Sequence, residues 1–162
     1  MKLKSIMCPT DYSSFSEAAL GYASLLASES GARLYIVHVD EEFPTYVPGY
    51  GGYGISVEPT DQQEKEARAM LEQVVPTIPD VQYEHRFLIG APEREILTFA
   101  KNENVDLIVL GSHGRTGLAR VLMGSVAEGI VRHATCPVLT VKHPMAVQSA
   151  SSTTPESAVN EK

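Results

Sequence analysis

The sequence predicts an α/β fold: a single domain in which five parallel strands form a sheet covered by helices on both faces. Short apolar runs alternate with longer amphipathic segments along the chain, and this alternation favours right-handed crossovers between parallel strands. The length of 162 residues suits one domain. A composition of 43% hydrophobic and 20% charged residues is that of an ordinary globular protein.

The first part of the domain contains two strands and a helix. A strand is predicted over 3–8 and a second strand over 33–39, because both segments are short and mostly apolar. Between them, Ser14 and Glu17 form the S-x-x-E pattern of a helix start, and an alanine-rich segment follows. Gly31 is suited to end this helix, since glycine readily adopts the left-handed conformation found after helices.

Residues 40–61 interrupt the alternation. They include three prolines, four glycines and three tyrosines, and they carry a charge of −5 without lysine or arginine. We predict a long, acidic, mobile surface loop here. Residues 49–54 match the dinucleotide fingerprint G-x-G-x-x-G, but 46–48 are too few for a strand and no helix is expected at Gly54. The match is therefore discounted.

Helices and strands alternate again in the second part. A helix is predicted over 62–75, with its apolar face formed by four residues and an ion pair between Glu64 and Arg68. A strand follows over 81–88, and Pro92 suits the first turn of a third helix. The apolar face of the second helix comprises Ala67, Met70, Leu71 and Val74.

The last two strands enclose a fourth helix. They are predicted over 106–110 and 137–142, and the helix restarts the regular structure at Gly124. Its apolar face comprises Val126, Ala127, Ile130, Val131 and Ala134. We expect the domain to span 1–142. Residues 143–162 are rich in serine and threonine and predict a disordered tail.

Charge and composition exclude several classes of protein. The net charge of −7 argues against nucleic-acid binding, which usually requires a basic surface. No apolar run approaches the roughly 20 residues of a membrane span, and the N-terminus lacks a signal-peptide pattern. Cys8 and Cys136 are expected to be small buried residues in a reducing compartment. We therefore expect a cytoplasmic protein without nucleic-acid or membrane partners.

A glycine loop between the fourth strand and the fourth helix is the candidate functional segment. Between Gly111 and Gly124 the sequence has two arginines, Arg115 and Arg120, and no acid. Glycines let the backbone approach an anion, and a helix N-terminus offers unpaired N–H groups and a positive dipole. This layout predicts that the loop binds the phosphates of a nucleotide. Alternatively, Ser125 and Glu128 form a capping box that merely closes the helix end.

Three strand ends are expected to converge on this loop. In a parallel sheet the ligand lies at the carboxyl ends of the strands, where strand order reverses. Residues 9–11 follow the first strand, Val39 ends the second, and Gly111 follows the fourth. Asp11 can hold ribose hydroxyls from this position, or it can accept a hydrogen bond as an Asx turn before the helix. The two roles can coexist.

Other motifs carry less weight. Walker P-loop, GxSxG, CxxC and HExxH patterns are absent from the sequence. His38 and His113 together could suggest a metal site, but no third ligand stands at ligand spacing. Ordinary hydrogen bonds are the favoured interpretation of both histidines.

The glycine loop resembles the ATP-binding motif of universal stress proteins. Gly111-Ser-His-Gly114, nine residues and Gly124-Ser125 reproduce the pattern G-x2-G-x9-G-[ST], and the similarity extends from residue 1 to about 142. The resemblance implies a sheet of strand order 3-2-1-4-5 and a homodimer formed through the last strand, Val138–Lys142. It also implies ATP, or ADP or AMP, as the ligand, with Mg²⁺ or Mn²⁺ bound through the phosphates.

The resemblance also implies the roles of individual residues. Asp11 would hold the ribose, the backbone around Thr10 and Val39 would meet adenine, and the glycine loop would surround the phosphates. Nucleotide-binding members often carry a hydroxyl where this chain has Ala127, and losing one hydroxyl should weaken binding by about 1 kcal/mol. The expected nucleotide-binding residues are Pro9, Thr10, Asp11, Val39, Leu110, Gly111, Gly114, Arg115, Gly124, Ser125, Val126 and Ala127.

The favoured hypothesis is a homodimeric ATP-binding stress-response protein that acts as a sensor or regulator, with an unidentified protein partner. One alternative is an interaction module of the same fold that binds no nucleotide. Another is a slow ATP hydrolase dependent on a divalent ion. No catalytic residue and no metal-binding side chain is assigned, because the motif region lacks a carboxylate or lysine suited to be a base or phosphate clamp.

Overall fold

The computed structural model describes residues 2–41, 45–48, 54–57, 61–113 and 123–142. Within these residues, no helix is long and apolar enough to cross a membrane. In chain order the elements are β1 (Ser5–Pro9), α1 (Ser14–Ser30), β2 (Arg33–Asp40), β3 (Thr45–Pro48), β4 (Gly54–Val57), α2 (Asp61–Glu72), β5 (Tyr83–Ile89), α3 (Pro92–Asn102), β6 (Leu107–Gly111), α4 (Ser125–His133) and β7 (Val138–Val141).

Five strands form one parallel sheet in the order β5-β2-β1-β6-β7. When only the strands of this sheet are counted along the chain, the order is 3-2-1-4-5, which confirms the predicted topology. The middle strand β1 is hydrogen-bonded on both sides: Met7 lies opposite Tyr35 of β2 and Ile108 of β6. The switch point, where strand order reverses, therefore lies beside β1.

Helices cover both faces of the sheet, so the protein is a three-layer α/β sandwich. Helices α1 and α2 pack on one face and α3 and α4 on the other, and each face has its own apolar core. The first core contains Ile6, Cys8, Ala19, Leu20, Ala23, Ala27, Leu34, Ile36, Leu71 and Val109, among others. The second contains Met7, Tyr35, Val37, Ile96, Ala100, Ile108, Leu110, Ala127 and Ile130, among others.

The segment predicted as an irregular loop contains a second, two-stranded sheet. Strands β3 and β4 pair antiparallel, with Val47 opposite Ile55, so the prediction that 40–61 lacks regular structure and that 46–48 are too few for a strand was wrong. Valine, isoleucine and tyrosine in these stretches favour strands, and this preference outweighs the prolines and glycines on which the loop prediction relied. Gly54 begins a strand, so no helix follows the G-x-G-x-x-G match.

Two helix details also differ from expectation. Ser13, not Ser14, caps α1, because its side chain accepts a hydrogen bond from the Ser16 amide. The apolar face of α4 is narrower than predicted, since Val131 is 47% exposed while Ile130 is fully buried. The end of α1 is as expected, with Gly31 in the left-handed conformation at φ 69°.

Helix α2 is shorter than predicted. It ends at Glu72, and Leu71 supplies its main contact with the core at 2% exposure, whereas Met70 is 50% exposed. The predicted pair between Glu64 and Arg68 is present, with 2.7 Å between carboxylate oxygen and guanidinium nitrogen.

Both cysteines lie against the sheet, and neither forms a disulfide. Cys8 is fully buried in β1, and this burial raises the pKa of its thiol to about 12. Burial likewise raises the pKa of the half-buried Cys136. Cys8 therefore acts as a small core residue, as predicted.

Asp106 joins the starts of β1 and β6 at the amino end of the sheet. Its Oδ2 accepts hydrogen bonds from the backbone amides of Lys4 (2.7 Å) and Ser5 (3.0 Å). The bond from Lys4, assisted by those from Ser5, holds the pKa of Asp106 below its ordinary value. A carboxyl whose pKa is lowered on folding stabilises the folded state above its unfolded pKa and loses this contribution as pH falls through the folded pKa.

We expect Asp106→Asn to lower the free energy of unfolding at pH 7 by less than about 1 kcal/mol, because the side chain is partly exposed to solvent. Below the folded pKa the wild-type carboxyl is neutral as well, so the difference between the two proteins should shrink. Urea denaturation at pH 7 and at successively lower pH measures how the difference changes. A difference that is independent of pH would contradict the role assigned to the charge.

Gly111 lets the end of β6 approach the first turn of α1. A Cβ atom on Gly111 would lie 2.8 Å from the Cβ of Phe15 and 2.9 Å from its backbone carbonyl. These distances are below ordinary contact, and a backbone group cannot move aside as a flexible side chain can. The glycine therefore has a packing role in addition to any role in binding an anion.

We expect Gly111→Ala to destabilise the fold by about 1–3 kcal/mol, the usual cost of overpacking. Gly21→Ala is the matched control, because a Cβ at this position in α1 would meet nothing within 4 Å and alanine favours helix by about 1 kcal/mol. The melting temperature and the urea midpoint should fall for Gly111→Ala and rise for Gly21→Ala. Equal behaviour would show that the contact with Phe15 relaxes easily.

Candidate functional site

A cavity of about 500 Å³ opens at the carboxyl ends of β1, β2 and β6. Its volume lies within the range of small-molecule sites. Gly114 and Arg115, two of the twelve residues expected to bind nucleotide, lie outside the described residues. The other ten line this cavity: Pro9, Thr10, Asp11, Val39, Leu110, Gly111, Gly124, Ser125, Val126 and Ala127.

The N-terminus of α4 forms one wall of the cavity. Gly124 is the N-cap in an extended conformation, and among the described residues no side chain caps this end of the helix. The first bond of the helix joins the Glu128 amide to the Gly124 carbonyl. The N–H groups of residues 125–127 precede it, so they have no acceptor within the helix. These donors and the positive end of the helix dipole suit an anion.

The capping-box alternative was wrong. Ser125 is the first residue of the helix and not its cap, and the Glu128 carboxylate binds Arg132 one turn later at 2.7 Å. The residue before Ser125 is Gly124, which has no side chain to cap the helix. The S-x-x-E pattern therefore does not satisfy the amides that face the cavity.

Ser112 brings together the two ends of the glycine loop. Its carbonyl accepts a hydrogen bond from the Gly124 amide at 2.9 Å, and its own amide donates to the Val141 carbonyl of β7 at 2.8 Å. Ser112 is 2% exposed. Gly124 is thereby held beside the end of β6, and α4 begins next to the strand that precedes it. The sequence held no signal for this role of Ser112, because both bonds use backbone groups.

The turn after β1 places Asp11 on the wall of the cavity. Asp11 Oδ1 accepts hydrogen bonds from the amide of Ser13 (3.1 Å) and from its hydroxyl (2.6 Å). This is the Asx-type role considered from the sequence. Ser13 in turn caps α1, so Asp11 supports the helix start while it also lines the cavity.

Tyr12 takes an unusual backbone conformation in the same turn. Its φ of 64° is left-handed, which costs roughly 1–2 kcal/mol for a residue with a Cβ. The ring stacks on His38 with 4.5 Å between centroids. His38 Nδ1 lies 2.8 Å from the Thr10 carbonyl oxygen; the oxygen can only accept, so Nδ1 carries the proton. His38 thus makes an ordinary hydrogen bond, the interpretation favoured from the sequence.

Val39 offers a backbone donor and acceptor to the cavity. Pairing between β1 and β2 ends at Pro9 and Val37, with a last bond from the Thr10 amide to the Val37 carbonyl at 2.8 Å. Backbone groups alternate sides along a strand, so those of Val39 point to the same side as those of Val37. The pairing of β1 with β2 does not reach them, because it ends at Val37.

The described wall of the cavity is acidic. Asp11, Asp40 and Glu41 line it, and no lysine or arginine does so among the described residues. Arg115 and Arg120 lie outside the described residues. Favourable interactions with an anion are therefore supplied here by the amides of α4 and not by charged side chains.

Sequence reasoning missed several residues of the wall. Ser16 is 5% exposed, and its hydroxyl lies 3.2 Å from Thr10 Oγ1. Ile96 of α3 and Ile130 of α4 form an apolar floor. These side chains belong to helices whose inward positions were predicted as core, and only the fold shows that the core borders a cavity.

Comparison with known proteins identifies the family. The family model described as "Universal stress protein family" matches residues 2–142. Universal stress protein MJ0531 of Methanocaldococcus jannaschii is 37% identical over 142 residues, which cover 87% of this chain and 83% of that protein. Universal stress protein MJ0577 of the same organism is 31% identical over 153 residues, covering 86% of this chain and 94% of that protein.

Solved structures agree with this result. The structure of MJ0577 superposes with a TM-score of 0.69 at 26% identity, covering 88% of this chain and 97% of that one. The universal stress protein from Archaeoglobus fulgidus in complex with dAMP superposes with a TM-score of 0.62 at 26% identity, covering 88% and 100%. The chain belongs to the universal stress protein family.

Proposed function

We propose that this protein binds an adenine nucleotide, ATP or its di- or monophosphate, in the cavity at the strand ends. The observation that carries the proposal is the uncapped N-terminus of α4, whose leading amides line the same cavity as Asp11. Amides at the start of a helix that have no acceptor within it are suited to bind a phosphate, and the helix dipole adds to the attraction. Gly111, Gly114, Arg115 and residues 124–127 are the proposed phosphate contacts.

Asp11 is the proposed ribose contact. It lines the cavity, and an ionised carboxylate can accept several hydrogen bonds at once, as Oδ1 does from Ser13. Holding the turn and accepting a hydrogen bond from a sugar hydroxyl are therefore compatible. A ribose at this position would lie between the strand-end turn and the start of α4.

The backbone of Val39 is the proposed adenine contact. Its N–H and C=O point toward the space beyond the end of β1. An N–H donor and a C=O acceptor on one residue complement an adenine edge, which presents a ring-nitrogen acceptor beside an amino donor. The A. fulgidus relative, in complex with dAMP, supports an adenine nucleotide as the ligand of this fold.

A divalent ion is expected to accompany a polyphosphate. Asp11, Asp40 and Glu41 line the cavity, and their charge opposes that of the phosphates. Mg²⁺ or Mn²⁺ bound through the phosphates would reduce this repulsion, with no protein side chain as a direct ligand. We assign no dedicated catalytic residue, so any ATP hydrolysis or autophosphorylation would be slow.

At the level of the organism, we propose a cytoplasmic sensor or regulator in a stress response that acts through its nucleotide-bound state. A homodimer through β7 would present that state to a protein partner. In the described part of the chain β7 pairs only with β6, and 37% of Leu139 is exposed. An edge strand with an exposed apolar residue suits pairing with a second copy.

ATP with magnesium at 100 times its dissociation constant should stabilise the protein by about 2.7 kcal/mol, which raises the melting temperature by several degrees. Gly124→Val should abolish this shift, because a branched side chain would cover the amides of α4. The variant should still fold, since φ of −69° and ψ of 153° at Gly124 suit any residue.

Gly21→Val is the matched control: it adds the same side chain to α1 where nothing lies within 4 Å, and it should retain the shift. Calorimetric titration of all three proteins gives the affinities. If ATP with magnesium does not change the melting temperature of the wild type, and no nucleotide is carried through purification, the result would favour an interaction module that binds no nucleotide.

Leu139→Arg should convert the proposed homodimer to a monomer, because two such charges would face each other across paired β7 strands. Light scattering after size exclusion measures the mass, and circular dichroism checks the fold. Tyr83→Arg, on the opposite edge strand β5 with a 43% exposed side chain, is the control and should leave the dimer intact. If the wild-type protein has the mass of a monomer, the proposed homodimer is contradicted.

A further inference from the structure

Tyr12 stands out among the residues near the site. The other described non-glycine residues with positive φ are Asp80 and Asn104, whose residue types tolerate the left-handed conformation. A tyrosine gains nothing locally from this conformation, so other contacts must hold it there. The position lies directly after Asp11 and before the cap of α1.

Contacts with His38, Ala67 and Thr10 help to hold Tyr12 in place. Its ring lies 4.5 Å from that of His38, tilted by 36°. Its hydroxyl donates to the Ala67 carbonyl of α2 at 3.4 Å, and its amide donates to Thr10 Oγ1 at 3.1 Å. The side chain therefore spans the space between β2 and α2.

The partners of Tyr12 are themselves fixed. His38 is 7% exposed and is bonded to the Thr10 carbonyl, and its ring lies 5.9 Å from that of Phe87 in β5. The Arg68 guanidinium of α2 covers the Phe87 ring at 4.4 Å. The stack thus contains residues of β2, β5 and α2. Because these residues hold one another in place, no single neighbour can shift to compensate for a change at residue 12.

The side chains of Tyr12 and Asp11 have different surroundings. Ile36 belongs to the core under α1 and α2, and His38, two residues later on the same strand, lies on that side with Tyr12. Asp11 lines the cavity together with Ile96 and Ile130, which belong to the core on the other side. Tyr12 is not a lining residue, so any influence on a ligand must act through lining residues that it adjoins or contacts: Asp11, Thr10 and His38.

We propose that Tyr12 is a positioning residue: its stacked side chain holds residue 12 left-handed and thereby sets the Asp11 carboxylate toward the ribose of the bound nucleotide. This inference rests on the proposed function. If residue 12 relaxed to negative φ, the chain would leave Asp11 in another direction. The two hydrogen bonds that Ser13 donates to Asp11 would then be lost together with the orientation of the carboxylate.

Calorimetry with ATP and with 2′,3′-dideoxy-ATP, each with magnesium, tests the inference, because the analogue lacks the hydroxyls that Asp11 would hold. We expect Tyr12→Ala to weaken ATP binding roughly tenfold, as loss of a hydrogen bond to a charged group would, and to leave the analogue nearly unchanged. Asp11→Asn should do the same, and the double variant should be no weaker than either single one. Tyr22→Ala, a tyrosine 54% exposed on α1, should match wild type.

Two further variants separate positioning from general support. Tyr12→Gly lacks the ring but adopts positive φ freely, so it should recover ATP affinity to within about threefold of wild type. Tyr12→Phe keeps the ring and should also bind nearly as well as wild type. A glycine variant no better than alanine, or a phenylalanine variant as weak as alanine, would contradict the inference.

The outcomes also separate this inference from the proposed function. Wild-type protein that binds neither compound would overturn both. Equal wild-type affinity for ATP and the analogue would leave nucleotide binding intact and overturn the contact between Asp11 and ribose. If wild type prefers ATP but Tyr12→Ala weakens both compounds by one factor, the role of Tyr12 is general support of the cavity and the inference fails alone.

Discussion

The candidate site depends on the point at which β1 stops pairing with β2. The Thr10 amide makes the last bond, to the Val37 carbonyl at 2.8 Å, and the chain then turns away through Asp11. Strand β2 continues to Asp40, so its final backbone groups on this side extend beyond the neighbouring strand. A longer β1 would pair with these groups and fill the space. The cavity is thus a consequence of unequal strand lengths at the switch point.

Close packing on the other side of β1 brings the phosphate-type loop into the same space. The end of β6 approaches α1 so closely at Gly111 that a Cβ would touch the Phe15 backbone at 2.9 Å. The Ser112 carbonyl then holds the Gly124 amide at 2.9 Å, which places the start of α4 at the strand end. Gly111 and Gly124 of the motif therefore have structural roles, so their presence alone does not demonstrate that a ligand binds.

The sequence was sufficient for the elements whose signal is local and strong. The end of α1 at Gly31 follows from glycine chemistry, and the strand order and ten of the cavity-lining residues follow from the family resemblance. The predictions failed where local signals compete. Ser13 caps α1 although Ser14 also fits the pattern of a helix start. The strand preference around Val47 outweighs the nearby prolines. Contacts that join distant residues, such as Tyr12 with His38, leave no local pattern from which to predict them.

A comparison of the N-termini of three helices explains why an anion is expected to bind at α4. Helix α1 has its cap in Ser13, with the Asp11 carboxylate beside it. Helix α3 begins with Pro92, which lacks an N–H, and it carries two glutamates, Glu93 and Glu95, in its first turn, where negative charge offsets the dipole. Helix α4 has a glycine cap and one first-turn acid, Glu128, where α3 has two. Neither α3 nor α4 has a side-chain cap, but Pro92 removes one donor from the start of α3, whereas the start of α4 keeps the N–H groups of residues 125–127, and these residues line the cavity.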